Sequence, residues 1–206
     1  MPLRPRRLRH RFAALPMATL ALGSLVLLAC ESDPPSTYQT QYSTRPDYRE
    51  RDTAKARALN DRAADALVEG DYAQAETLLK QALTADVMFG PAHNNLGKVH
   101  FELGRYYLAA WEFEYAAKLM PDQPEPKNNL GLVFETVDRF DQAIAHYEAA
   151  HRDAPDHVEI TANLARAKLR RGDPLTELRP LFEDIVLKDP RPVWRNWARE
   201  KLALMD

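Results

Sequence analysis

Apolar and small side chains in this chain fall on one helical face, and the same face returns 34 residues later. Tyr72, Ala75, Leu79 and Ala82 stand at i, i+3, i+7 and i+10, the spacing of a stripe along an α-helix. Tyr106, Ala109, Phe113 and Ala116 reproduce it, and Phe140, Ala143, Tyr147 and Ala150 reproduce it once more. Each stripe follows a turn signal, at Gly70-Asp71, Gly104-Arg105 and Asp138-Arg139. Before the later turns runs a second shared segment: Asn95-Leu96-Gly97, Asn129-Leu130-Gly131 and, less closely, Asn163-Leu164-Ala165. Pro121 and Pro155 close two of the units. The period predicts an all-α chain of paired helices joined by short turns. Units of this size cannot bury their apolar faces alone, so they must stack.

This period, with small and aromatic residues alternating, resembles the tetratricopeptide repeat. The resemblance implies a short right-handed solenoid of antiparallel helix pairs over residues 52–190, with repeats at 56–89, 90–123 and 124–157. Ala75, Ala109 and Ala143 let the two helices of a pair approach closely. Tyr72, Tyr106 and Phe140 fill the gap to the next helix. Gly70 and Gly104 relieve the turn, since glycine accepts positive φ; Asp138 stands in that place in the third unit. A fourth unit, 158–190, is degenerate. It keeps Asn163-Leu164, Gly172-Asp173 and a closing Pro190. But Pro174 replaces the aromatic, Glu177 replaces the small alanine, and Pro180 falls inside the second helix. Proline in a helix interior costs roughly 3 kcal/mol, which predicts a kink or a late start there. Residues 191–206 end the chain. Trp194, Trp197, Ala198, Leu202 and Met205 give a helix over about 193–205 one apolar face. A capping helix that closes the stack needs such a face; binding a partner is its other use.

In the tetratricopeptide family the first helix of each unit lines the concave face. The resemblance places Asn95, Asn129 and Asn163 there as a ladder of amides, beside Lys98, Arg166 and Arg170. An amide offers donor and acceptor together, which suits the backbone of an extended peptide; bonding between neighbouring helices is the other use of the ladder. The three cations suit a carboxylate, although their spacing is not that of the full carboxylate clamp of chaperone-binding members. One stripe departs from the pattern. Tyr107, Trp111 and Tyr115 step by four along the second helix of the second unit, where the other units carry Ala73, Thr77, Gln81 and Asp141, Ala145, Ala149. Trp and Tyr are favoured at binding hot spots, so the stripe is a candidate second interface; a cover of residues from the tyrosine-containing segment before the repeats is the alternative.

The N-terminus adds a destination. Arg4, Arg6, Arg7, Arg9 and Arg11 precede an apolar run from Phe12 to Leu28, and small Ala29 precedes Cys30, the one cysteine of the chain. Basic head, apolar middle and small-residue exit make a secretory signal peptide over 1–29. Leu27-Leu28-Ala29-Cys30 resembles the lipobox of bacterial lipoprotein precursors, which implies lipidation of Cys30 and membrane attachment through it. An uncleaved membrane helix is the competing reading, with Pro16 interrupting a stretch near the lower limit for spanning. Residues 30–51, rich in Pro, Ser, Thr and Gln, read as a tether. About 20 coil residues reach roughly 25 Å, enough to hold a domain off a bilayer. Glu31, rather than aspartate, after the cysteine implies the outer membrane, facing the periplasm.

Charge and chemistry narrow the function. The first 29 residues hold five of the 28 basic side chains and none of the 30 acidic ones. The remainder is acidic, against the basic face of a nucleic-acid binder. With the cysteine used as the anchor, no disulfide staples the fold. His93 and His100 are seven apart, His146 and His151 five apart, and neither spacing is that of a helical zinc pair. No phosphate loop or nucleophile elbow is present. The sequence therefore predicts no enzyme, metal or cofactor. It predicts a membrane-anchored scaffold or adaptor that binds a protein or extended peptide. A pilotin-like assembly factor for a type IV pilus or secretion system, or a structural envelope accessory protein, is the alternative.

Overall fold

The computed structural model describes residues 51–205. Cys30, the signal segment and most of the tether expected from the sequence lie outside the described residues. Nine α-helices and no strand form among the described residues. They pair as hairpins: α1 (Thr53–Glu69) with α2 (Tyr72–Ala85), α3 (Gly90–Glu102) with α4 (Tyr106–Leu119), and α5 (Pro124–Thr136) with α6 (Phe140–Asp153). α7 (Val158–Arg171) and α8 (Leu175–Lys188) follow, and α9 (Pro192–Leu202) packs on α8.

The turns inside the hairpins use left-handed backbone. Gly70 (φ 77°), Gly104 (φ 70°) and Gly172 (φ 99°) take it without a Cβ penalty. Asp138 takes it too, at φ 58°, as a short polar residue can. Its carboxylate receives a bond from Arg170 Nη2 at 2.9 Å. The turns between hairpins end one helix and start the next, twice with proline in the first turn, Pro91 and Pro124, where its missing N–H is not needed.

Each hairpin is held by an apolar seam. Ala75, Leu79 and Ala82 of α2 pack with Ala63, Ala66 and Leu96. Ala109 and Phe113 pack with Leu130 and Val133 of the next hairpin. Ala143 and Tyr147 pack with Leu164 and Ala167. Consecutive first helices touch, α1 with α3, α3 with α5 and α5 with α7, while consecutive second helices make no comparable contact. The array therefore curves with its first helices on the inner side.

Two buried aspartates lock the ends. Asp86 accepts from Arg51 Nε (2.9 Å), Thr53 Oγ1 (2.7 Å) and Met88 N (3.0 Å). Asp189 accepts from Arg191 Nε (2.9 Å), Arg191 Nη2 (2.6 Å) and the Arg191 backbone N–H (2.9 Å). Pro180 does not divide α8, which starts at Leu175 behind Pro174 and continues to Lys188. α9 begins 34 residues after α7, so it stands where the first helix of a fifth unit would stand. Trp194, Trp197, Leu202 and Met205 pack toward Leu178, Phe182 and Ile185, with Trp197 edge-on to Phe182 at 5.3 Å. Its outward side carries exposed Asn196, Arg199 and Glu200, as a cap needs. The helix ends at Leu202, short of Met205, with a turn over the last residues.

Candidate functional site

The inner face is built on a staggered ladder of amides. Asn95 Nδ2 donates to Asn60 Oδ1 at 2.9 Å, Asn129 Nδ2 to Asn94 Oδ1 at 3.0 Å, and Asn163 Nδ2 to Asn128 Oδ1 at 3.0 Å. Each expected ladder residue thus reaches back to the asparagine one place earlier in the preceding unit. The acceptors Asn60, Asn94 and Asn128 are buried, whereas Asn95 and Asn129 are half-buried. Part of the amide capacity is therefore spent on joining neighbouring helices, and part of two rungs faces solvent. The ladder stops cleanly. Thirty-four residues after Asn163 and Asn128 come Trp197 and Ala162, so no amide is left without its counterpart.

Two pockets lie side by side along this face. One, of about 390 Å³, is lined by Leu67, Val68, Tyr72 and Asn95. The other, of about 170 Å³, is lined by Phe101, Phe113, Asn129 and Leu132. Lys98 and Glu102 belong to both and are exposed. Each pocket thus combines apolar walls with one ladder amide, and a Lys/Glu pair stands between them. The smaller pocket is the more apolar of the two, and apolar walls with a few placed polar groups are common in ligand sites.

Arg166 and Arg170 have a different setting from the one the sequence suggests. Both converge on Glu135, a carboxylate only 3% exposed. Arg166 grips it with two parallel bonds, Nε to Oε1 and Nη2 to Oε2, both 2.8 Å. Arg170 Nη1 adds a bond of 3.2 Å and Tyr147 Oη one of 2.9 Å. Burial works against the charge on Glu135, but Arg166, Tyr147 and Arg170 together outweigh it and hold the carboxyl below its ordinary range. Burial, then the neighbouring carboxylate, pushes the Tyr147 phenol up. So the two arginines are occupied from within, and Lys98 is the ladder-side cation without such a partner. Glu135 was not singled out from the sequence. The signal was there: the same position is Leu67, Phe101 and Leu169 in the other units, and an acid at an apolar position needs a partner.

The aromatic stripe on α4 divides. Tyr107 is 83% and Trp111 54% exposed. Tyr115 is half-buried, edge-on to His93 at 4.6 Å, with its hydroxyl 3.5 Å from Met88 Sδ. Trp111 and Tyr115 lie parallel with centroids 5.9 Å apart. Beneath them His93 is buried, bonded to Glu112 Oε2 (2.7 Å) and to the Val87 carbonyl (2.8 Å). Among the described residues no group of three His, Asp or Glu side chains converges as a metal site, and no helix is long and apolar enough to cross a membrane.

Residues 60–124 and 137–174 match models of the tetratricopeptide repeat. With the hairpin geometry, this makes the described helices a tetratricopeptide-repeat solenoid. A search of the curated proteins finds no match. Among solved structures, PilF of Pseudomonas aeruginosa is similar with a TM-score of 0.67 at 20% identity, over 75% of this chain and 70% of that one. The first repeat domain of Spaghetti (RPAP3), solved bound to the HSP90 peptide SRMEEVD, gives 0.57 at 19% identity over 59% of this chain and 97% of that one. An O-GlcNAc transferase of Thermobaculum terrenum gives 0.62 at 26% identity over 66% of this chain. Of that enzyme the match covers 26%, about a quarter of its length.

Proposed function

We propose that this chain is a non-catalytic adaptor that holds a segment of a partner protein on its inner face. The observation that carries the reading is the pair of contiguous pockets, each with apolar walls and a half-free ladder amide, joined by Lys98 and Glu102. Main-chain bonds to Asn95 and Asn129 give an extended segment its hold, and the pockets take its side chains. The likeness to a repeat domain solved with a peptide bound supports the same use. Lipid on Cys30 ties the adaptor to the bacterial envelope, at the outer membrane on its periplasmic side; the support is the Leu27-Leu28-Ala29-Cys30 close of an Arg-rich, apolar leader. Acyl chains contribute about 0.8 kcal/mol per buried CH₂, and two or more anchor stably.

The test places a photo-crosslinking residue at Leu132 in one version of the full chain and at Ala145 in another. Irradiation in membranes is expected to trap a protein segment from position 132 and none from exposed position 145. Trapping only from 145 defeats the reading.

A pilotin-like assembly factor is the second reading, favoured by the fold-level likeness to PilF. It expects loss of surface pili or of secretion when the gene is deleted; the plain adaptor expects neither.

A further inference from the structure

The position of Glu135 is apolar in every other unit, and its carboxylate fills a receptor built by three other helices. Arg166 and Arg170 come from α7, Tyr147 comes from α6, and Trp194 of α9 backs the Arg166 guanidinium at 5.5 Å. Arg170 lies over the Phe140 ring at 4.7 Å. These rings, and Asp138 for Arg170, contact the guanidiniums in addition to Glu135. Two guanidiniums and a phenol aimed at one point are a carboxylate site, and here a side chain of the same chain occupies it. The charge is also balanced. Glu135 and Asp138 together offset Arg166 and Arg170.

We propose that Glu135 is a built-in carboxylate ligand that closes the Arg166/Arg170 end of the groove to acid-terminated peptides, so that the groove takes an internal segment of its partner at the Asn95 and Asn129 pockets. The inference rests on the peptide-binding reading for its second half only. The occupied receptor stands on the geometry of Glu135 alone. It makes Glu135 a specificity-determining residue: a free C-terminal carboxylate finds its natural partners already paired and would have to displace a side chain held by four hydrogen bonds.

Glu135→Ala removes a CH₂–COO⁻ group, which matches acetate in shape and charge. The full chain carrying this substitution is melted in sodium acetate and in sodium chloride of equal ionic strength at pH 7. Acetate is expected to raise the Tm of the variant by several degrees and to leave the wild-type Tm unchanged. Wild type and variant are then titrated with N-acetyl-Ser-Gly-Ser-Leu as free acid and as C-terminal amide. Wild type is expected to bind the two forms within twofold of each other. The variant is expected to favour the free acid at least tenfold. A wild-type preference of tenfold for the free acid overturns the proposal. So does a variant indifferent to acetate, including one unfolded in both salts. The acetate arm contains no peptide and decides alone where peptide binding is undetectable, so a groove that binds no peptide fails the adaptor reading while the receptor is still judged.

Discussion

A methyl group on the α-carbon of Gly97 would stand 2.6 Å from Cε1 of Phe113. The ring is 2% exposed and enclosed by its own hairpin and the next, so it cannot swing away. Gly131 meets Tyr147 in the same way. In the first and fourth hairpins the same two places hold Ala63 with Leu79 and Ala165 with Leu181. A larger residue on one helix is matched by a smaller one on its partner. Gly97→Ala gains about 1 kcal/mol of helix propensity but overpacks the seam by about 1–3 kcal/mol or more. The expected net is a loss of up to about 2 kcal/mol in urea denaturation. Gly97→Ala with Phe113→Leu should recover part of it, with a coupling energy above about 1 kcal/mol in the double-mutant cycle. Additive effects would mean the contact is not the constraint.

Asp138 occupies a left-handed position that glycine fills at Gly70, Gly104 and Gly172. Left-handed backbone costs an L-residue roughly 1–2 kcal/mol, less for aspartate. The Arg170 bond to Asp138 is solvent-exposed, with side chains 46% and 73% accessible, and such pairs are worth about 0–1 kcal/mol. The backbone term is the larger. Asp138→Gly is expected to leave stability unchanged or raise it by up to about 1 kcal/mol, and a loss above about 1 kcal/mol would assign the greater weight to the ion pair.

Acid should unfold the protein in two stages. Burial holds His100 and His146 below the ordinary imidazole range, against the pull of nearby carboxylates. Their folded forms bind protons less readily than their unfolded forms. That stability is present above about pH 6.5 and declines as pH falls below it. Glu135 and Asp86 are held below the carboxylate range because their hydrogen-bond and ionic partners outweigh burial. Their contribution is complete above about pH 4.5 and is lost as pH falls through the folded values. Urea midpoints against pH should fall gently below pH 6.5 and steeply below about pH 4.5. Replacing His100 and His146 by glutamine should flatten the first limb, and Glu135→Gln should reduce the second.

The fold was legible because its signal is local and repeated. Tyr106, Ala109 and Phe113 mark a helix face, and Gly104 marks its turn, without reference to anything distant. The apolar face of α9 was legible for the same reason. The site was only half legible. The spacing of Asn95, Asn129 and Asn163 predicted a ladder, but its stagger onto Asn60, Asn94 and Asn128 depends on how neighbouring helices are offset. Arg166 and Arg170 read as free cations because their partner lies on another helix, 31 and 35 residues away. Tyr115 read as part of an open stripe because its cover, His93 and Met88, belongs to the preceding helix and loop.

The α4 stripe should matter little to stability. Tyr107 is largely exposed, so Tyr107→Ser should change stability by less than about 0.5 kcal/mol. Trp111→Ser also removes the ring partner of Tyr115, a pair worth about 0.5–1.5 kcal/mol. A loss above about 2 kcal/mol in the double variant would mean that another segment of the chain covers the stripe.

The most direct measurement is the affinity of the segment trapped by crosslinking for two full-length variants, each checked for folding by circular dichroism. One carries Asn129→Ala with Leu132→Lys, which removes an amide and an apolar wall from a pocket and leaves Glu135, Arg166, Arg170 and Tyr147 unsubstituted. The other carries Tyr107→Ser with Trp111→Ser. If the inner face holds the partner, the first variant loses at least tenfold in affinity and the second stays within twofold of wild type. Unchanged binding to the first with a tenfold loss in the second would contradict the account and move the site to the outer helices.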